Sequence, residues 1–399
     1  MTNCATDKEG EMEINMTNLE IYIHIPFCVK KCDYCDFLSF PSEKSCIKAY
    51  VNALKKEIEL NKENMKEYLV DTVFIGGGTP SILEEDEIAA ILQTLEDNCN
   101  MREKAEITIE CNPGTVTKNK LLSYKKSGIN RLSFGLQSAN DDELKSIGRI
   151  HDYAQFLESY KMARECGFEN INVDLMSGLA GQTVESYRGT LEKVTALNPE
   201  HISAYSLIVE ENTPMYDRVY SARGKGINIL PEEDEEREMY YLTKDFLEKC
   251  GYGRYEISNY SKKGKECRHN IGYWKRTEYL GFGIGAASLY RGKRWNNISD
   301  LKDYMTGINQ GTPKEVRTNV EQLSKKDEME EFMFLGLRMM EGISKKEFDE
   351  IFKEKYDDVY GKVHEKLSKQ GLITMDEGRV KLTEKGIDVS NYVMSEYLF

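Results

Sequence analysis

Six apolar runs, each followed by a helical pattern, set the architecture open to this chain of 399 residues. The runs are "EIYIHI" from Glu20, "VDTVFIGGGTPS" from Val70, "AEITIECNPG" from Ala105, "NRLSFGLQS" from Asn130, "NINVDLMSGLAGQT" from Asn170 and "HISAYSLIVE" from His201. Between them lie helical patterns near Ser45 to Met65, Glu84 to Glu96, Lys118 to Lys126, Asp141 to Glu165 and Val184 to Ala196. The first of these, "YVNALKKEIEL", spaces its apolar residues by three and four, as a helix with one buried face does. Runs that are apolar nearly throughout suit parallel strands covered on both faces. The alternation therefore predicts an α/β fold, a partial (β/α)6 TIM-like barrel over residues 20–250.

After Pro231 the pattern changes. Residues 251–314 form a connecting region that holds "HNIGYW" (His269 to Trp274) and the glycine-rich "LGFGIGAASL". Residues 315–399 read as a smaller C-terminal α+β domain, with a helix near Asp357 to Lys369, a hairpin in "LITMDEGRVKLT" and a final helix. That order resembles a winged helix, but the segment carries more Asp and Glu than Lys and Arg, so docking to a protein is expected in place of DNA binding. The whole chain has a net charge of -14, which argues against a nucleic-acid partner. No apolar run has the length of a membrane span. Residues 1–19 are polar and acidic, lack a signal peptide's apolar core, and are expected to be a disordered tail of a cytoplasmic protein. The "MTN" of Met1 recurs at Met16, so the tail is expected to be dispensable.

Cys28, Cys32 and Cys35 fall within eight residues of one another in "IHIPFCVKKCDYCDF". A spacing of i, i+4, i+7 would share one face of a helix, yet Pro26 and the abrupt start after a strand favour a loop. Structural zinc asks for four ligands, and no fourth lies close by, since Cys46 sits inside a helical pattern and reads as core. A 4Fe–4S cube held by three thiolates leaves one iron free for a small molecule. The glycines of "GGGTPS" permit close backbone approach, with N–H groups turned to a ligand's polar end and the Thr79 hydroxyl beside them.

The C-x3-C-x2-C spacing at the end of a first barrel strand resembles the signature of radical S-adenosylmethionine (SAM) proteins, and the longer string "YIHIPFCVKKCDYCDF" resembles their HemN/HemW branch. The likeness continues through "GGGTPS", "IECNPG", "RLSFGLQS", "NVDLMSGLAGQT", "YEISNY", "HNIGYW" and "GIGAAS". It implies that Cys28, Cys32 and Cys35 hold a 4Fe–4S cluster, and that Tyr22, Gly77, Gly78, Thr79, Glu110, Gln137, Arg149 and Asp174 contact SAM. Family members often have "GLPGQ" where this chain has Ala180, a change that removes no chemical group.

The oxygen-independent coproporphyrinogen III oxidases carry a fourth cysteine two residues after the third, and here that position is Phe37. They also carry a longer segment ahead of the motif. Both points favour the HemW-type proteins, with haem as cargo, haem-accepting proteins as partners through the C-terminal domain, and an electron donor for the cluster. "HNIGYW" is the feature linked to haem in that group. His269 is then either a haem ligand, with Tyr273 and Trp274 around it, or a hydrogen-bonded buried histidine. His24 is a second candidate. Two enzyme classes stand as alternatives: the oxidase, which Phe37 argues against, and a radical SAM enzyme acting on another tetrapyrrole.

Overall fold

A computed structural model describes residues 16–399. Six strands run parallel in sequence order: β1 (Thr17–Ile25), β2 (Tyr68–Gly77), β3 (Asn100–Cys111), β4 (Arg131–Gln137), β5 (Ile171–Ser177) and β6 (His201–Ser206). Helices Lys44–Leu60, Glu85–Glu96, Lys118–Lys126, Asp141–Ser146, Tyr153–Glu165 and Val184–Ala196 fill the crossovers at the places read from the sequence. Their starts are fixed locally. Thr117 accepts from the Lys120 N–H, and Asp152 and Thr183 each form a reciprocal cap with the residue three further on.

The strands are less uniformly apolar than the sequence suggested. Leu19, Ile21, Ile23 and Ile25 of β1 are fully buried on one face, while Glu20, Tyr22 and His24 alternate onto the other. The same period of two sets Arg131, Ser133 and Gly135 of β4 and Asn172, Asp174 and Met176 of β5 facing a cavity, with Leu132, Phe134, Val173 and Leu175 in the core. The outer face is therefore the hydrophobic one, where each fully buried Leu or Ile contributes about 1.5–3 kcal/mol. The inner face is polar and supplies a site.

Residues 251–314 do not merely connect two domains. Strands β7 (Gly253–Glu256) and β8 (Asn259–Ser261) extend the sheet beyond β6, β8 pairing antiparallel with β6 and β7 antiparallel with β8. At the other edge β9 (Tyr279–Phe282) lies parallel to β1 and is followed by β10 (Ala287–Tyr290), β11 (Lys293–Asn297) and β12 (Arg317–Gln322). One sheet of twelve strands results. β12 falls within the segment the sequence assigned to the C-terminal domain, and Thr17 to Leu19, assigned to the tail, belong to β1. The remaining tail, residues 1–15, lies outside the described residues.

The C-terminal part has its own core, built on Met333, Phe348, Tyr360 and Val380. It runs helix Lys325–Gly336, β13 (Ile343–Ser344), helices Lys345–Phe352 and Tyr356–Lys369, then the hairpin of β14 (Ile373–Asp376) and β15 (Arg379–Leu382). Glu331 fastens it to the barrel through Arg276 (3.0 Å) and Arg294 (2.5 Å), and the fully buried Glu256 accepts from Arg338 at 3.5 Å. No helix among the described residues is long and apolar enough to cross a membrane.

Candidate functional site

Cys28, Cys32 and Cys35 lie in an irregular loop between β1 and helix Lys44–Leu60, not on a helix. The loop is pinned at several points: the Cys28 N–H donates to Phe40 O (3.1 Å), Phe40 N–H to Pro26 O (2.9 Å), and Asp33 N–H to Ile147 O (3.0 Å). All three thiols line a cavity of about 600 Å³ at the C-terminal ends of the parallel strands, the face on which such barrels build their sites. Among the described residues no three His, Cys, Asp or Glu side chains converge on a point where one metal ion would sit. A cube makes a different demand, one thiolate for each of three irons.

The glycine run serves this loop in a way the sequence did not indicate. Gly77 has φ +111°, and a Cβ there would lie 2.5 Å from the His24 ring. A Cβ on Gly78 would lie 2.7 Å from Phe27 O and 3.0 Å from the Cys28 sulfur. The N–H groups expected to face a ligand are already engaged: Gly77 donates to Glu110 (3.0 Å), Gly78 to Ile25 O (2.8 Å) and Thr79 to Phe27 O (2.8 Å). The run is a backbone clamp on the cysteine loop, and the Thr79 hydroxyl reaches the Cys28 sulfur at 3.5 Å.

The cavity gathers Gly77, Gly78, Thr79, Glu110, Gln137, Arg149 and Asp174 around the thiols. Burial, with Asp174 adding like charge, pushes the Glu110 carboxyl up to about 8. Arg149 is not a surface cation: it donates to the Cys32 sulfur at 3.4 Å and to Asn112 at 3.1 Å, placing a positive charge beside a thiol. Asp174 is no helix cap; its carboxylate accepts from Asn172 at 2.7 Å, and burial raises its pKa. Gln137 ends β4 in a left-handed conformation, φ 69°, with its buried Oε1 lacking a partner. Strain and an unpaired acceptor at one residue are costs that a ligand can offset.

Sequence reasoning missed several lining residues. Arg131, fully buried with an unpartnered Nε, stands at the cavity floor, and Asn112 links Thr79 to Arg149. An arginine inside the otherwise apolar run "NRLSFGLQS" was the available signal for the first. Cys46 lies on helix Lys44–Leu60, half-buried rather than core.

Tyr22 does not line this cavity. With His24 it lines a second one, of about 690 Å³, between the barrel and the C-terminal helix Lys325–Gly336. Its wall is mainly apolar and aromatic, formed by Phe37, Leu38, Tyr273, Trp274, Tyr279, Leu289, Phe334 and Leu335, with Arg276, Arg294 and Glu331 also present. Asp36 and Phe37 line both cavities, and Phe37 is 66% exposed between them.

His269 reaches neither cavity. It is 1% exposed, stacks on Phe74, and has both ring nitrogens engaged: Nδ1 with the Thr72 hydroxyl (2.7 Å) and Nε2 with the Tyr273 hydroxyl (3.0 Å). Burial, with Arg131 nearby, drives its pKa down to about 3, so the ring stays neutral. Of the two expected readings, haem ligand or hydrogen-bonded buried histidine, these contacts favour the second. His24 is similarly tied, between Tyr22 (3.0 Å) and Leu38 O (2.9 Å).

Comparison with known proteins matches residues 22–194 to the Radical SAM superfamily and residues 323–389 to the HemN C-terminal domain. The chain is 36% identical to the heme chaperone HemW of Lactococcus lactis, over 94% of its own length and 96% of that protein. It is 38% identical to the heme chaperone HemW of Bacillus subtilis, over 94% and 98%. Coproporphyrinogen III oxidase (HemN) from Escherichia coli, a solved radical SAM enzyme, superposes with a TM-score of 0.81 at 25% identity, covering 96% of this chain and 90% of that one.

Proposed function

The chain belongs to the HemW family of radical SAM proteins, which implies a 4Fe–4S cluster and SAM, and from that premise we propose that it binds haem and passes it to haem proteins. The observation that carries the reading is the second cavity: apolar, aromatic, and sharing Asp36 and Phe37 with the thiol-lined cavity. Its size falls within the range of pockets that bury most of a small ligand's surface. Cargo and cofactor then have adjoining, distinct places.

The residues of the first cavity fit a cluster and SAM. Cys28, Cys32 and Cys35 hold the cluster, which supplies one-electron chemistry when bound. Thr79 and Arg149 contribute polar contacts to two of the sulfurs. Glu110 and Asp174 offer carboxylates to an ammonium group, Gln137 offers its unpaired oxygen, and Gly77 and Gly78 keep the wall thin. An electron donor serves the cluster, and the acidic C-terminal domain docks the proteins that receive haem.

The likeness to the E. coli oxidase supports a second reading, radical decarboxylation of coproporphyrinogen III. Against it stands Phe37, whose ring has no thiol chemistry to offer where that enzyme class carries a cysteine. Anaerobic incubation of cluster-loaded protein with coproporphyrinogen III, SAM and a reductant, followed by chromatography of the porphyrins, decides between them. The expected result is unchanged substrate; steady formation of protoporphyrinogen would make the protein an oxidase.

A further inference from the structure

"HNIGYW" folds as helix Arg268–Trp274, and its first and fifth residues share one side of that helix. His269 turns into the barrel and Tyr273 turns to the second cavity, with 3.0 Å between Nε2 and the phenolic oxygen. Gly272 sets this depth: a Cβ there would overlap the Glu20 carboxylate at 1.8 Å, so the helix sits on β1 closer than any other residue allows. The motif thus places the Tyr273 phenol, not the His269 ring, on the cavity wall.

Resting on the function proposed above, we propose that the haem iron is held by the Tyr273 phenolate in this second cavity, with His269 as the hydrogen-bond donor behind it. Tyrosine is an established axial ligand of ferric haem. Binding replaces the phenolic O–H bond with an Fe–O bond, the iron stays ferric, and the proton leaves to water. Tyr273 then has only lone pairs, so its neighbour must donate.

His269 can. The Thr72 hydroxyl lies 2.7 Å from Nδ1 and can donate or accept there; in the haem-bound state it donates, which puts the hydrogen on Nε2, facing Tyr273. Tyr22, also on the wall, has no such partner. The Leu38 carbonyl can only accept, so it fixes the His24 hydrogen on Nε2 and leaves Nδ1 as a lone pair facing the Tyr22 oxygen. Tyr22 must donate to that lone pair, and a phenolate there would be repelled. Arg276 and Arg294, now shared with Glu331, are the cations available to the carboxylates of the porphyrin edge.

The test is titration of the anaerobic, cluster-loaded full chain with ferric haem, read by visible absorption and resonance Raman spectroscopy. Wild type should show phenolate-to-iron charge transfer and phenolate vibrations. Tyr273→Phe should lose both and bind haem at least tenfold more weakly, with cluster absorption unchanged as the check on folding. His269→Ala should keep the phenolate bands but shift them, having lost the donor, and Tyr220→Phe, at an exposed tyrosine that lines neither cavity, should match wild type. Wild-type spectra retained by Tyr273→Phe, or imidazole signatures in wild type, would overturn the ligand assignment and leave the haem function standing. A wild-type chain that binds no ferric haem would overturn both.

Discussion

Cys32→Ala should leave the protein without its cluster: iron and sulfide content after anaerobic reconstitution should fall close to zero, and the broad visible absorption should vanish. In the proposed assignment three thiols are the whole protein ligand set, so each anchors an iron that no neighbour can take over. The loop has little freedom to bring in a substitute. It is held from both sides by the Phe40, Pro26 and Ile147 carbonyls, and the Cys32 sulfur itself is held by Arg149 at 3.4 Å. Cys46→Ala is the matched control. That cysteine is half-buried on helix Lys44–Leu60 and does not line the cavity, so its variant should retain full iron. A Cys32→Ala protein with wild-type iron and sulfide would refute the assignment.

Gly78→Val should disable the same loop without touching a cysteine. The added carbon would press on Phe27 O at 2.7 Å and on Ile25 O and the Cys28 sulfur at 3.0 Å. Two of these atoms are backbone, and Ile25 O is also the acceptor for the Gly78 N–H. Relief requires the loop to move away from β2. Overpacking of this kind costs about 1–3 kcal/mol and sometimes more, and here the displacement falls on Cys28, a proposed cluster ligand. The variant should lose most of its cluster iron and, with it, measurable SAM affinity in equilibrium dialysis. Gly189→Ala on helix Val184–Ala196, where a Cβ meets nothing within 4 Å, should behave as wild type. Normal cluster content and SAM affinity in Gly78→Val would show that the glycine run is not a clamp.

The barrel was legible because its signal is local. Strand and helix periods alternate, and the helices Lys118–Lys126 and Val184–Ala196 appear at the bounds the sequence suggested. What the alternation hid was the inner face. A residue such as Arg131 or Asp174 inside an apolar run looks like an interruption until the strand's period of two is set against its neighbours. The convergence of Glu110, Gln137, Arg149 and Asp174 was legible only through resemblance, since their strands are brought together by long-range pairing that no short window contains. The sheet extensions β7 to β12 were obscured for the same reason: Gly253–Glu256 and Asn259–Ser261 are short, and their partners lie far away in sequence. His269 shows the limit most clearly. Sequence identifies a histidine four residues before a tyrosine, but which of the two faces a cavity depends on how deeply Gly272 lets the helix settle on Glu20.

The proposed function is carriage of haem to other proteins. Haem-loaded, cluster-loaded protein, separated from free haem and mixed anaerobically with an excess of an apo haem protein, tests it most directly when the acceptor's Soret band is followed over time. The acceptor band should grow as the donor band declines, and transfer should slow when the charge of the acidic C-terminal domain is screened by salt. No haem retained by the wild-type chain after separation, or retained haem that never reaches the acceptor, would contradict it.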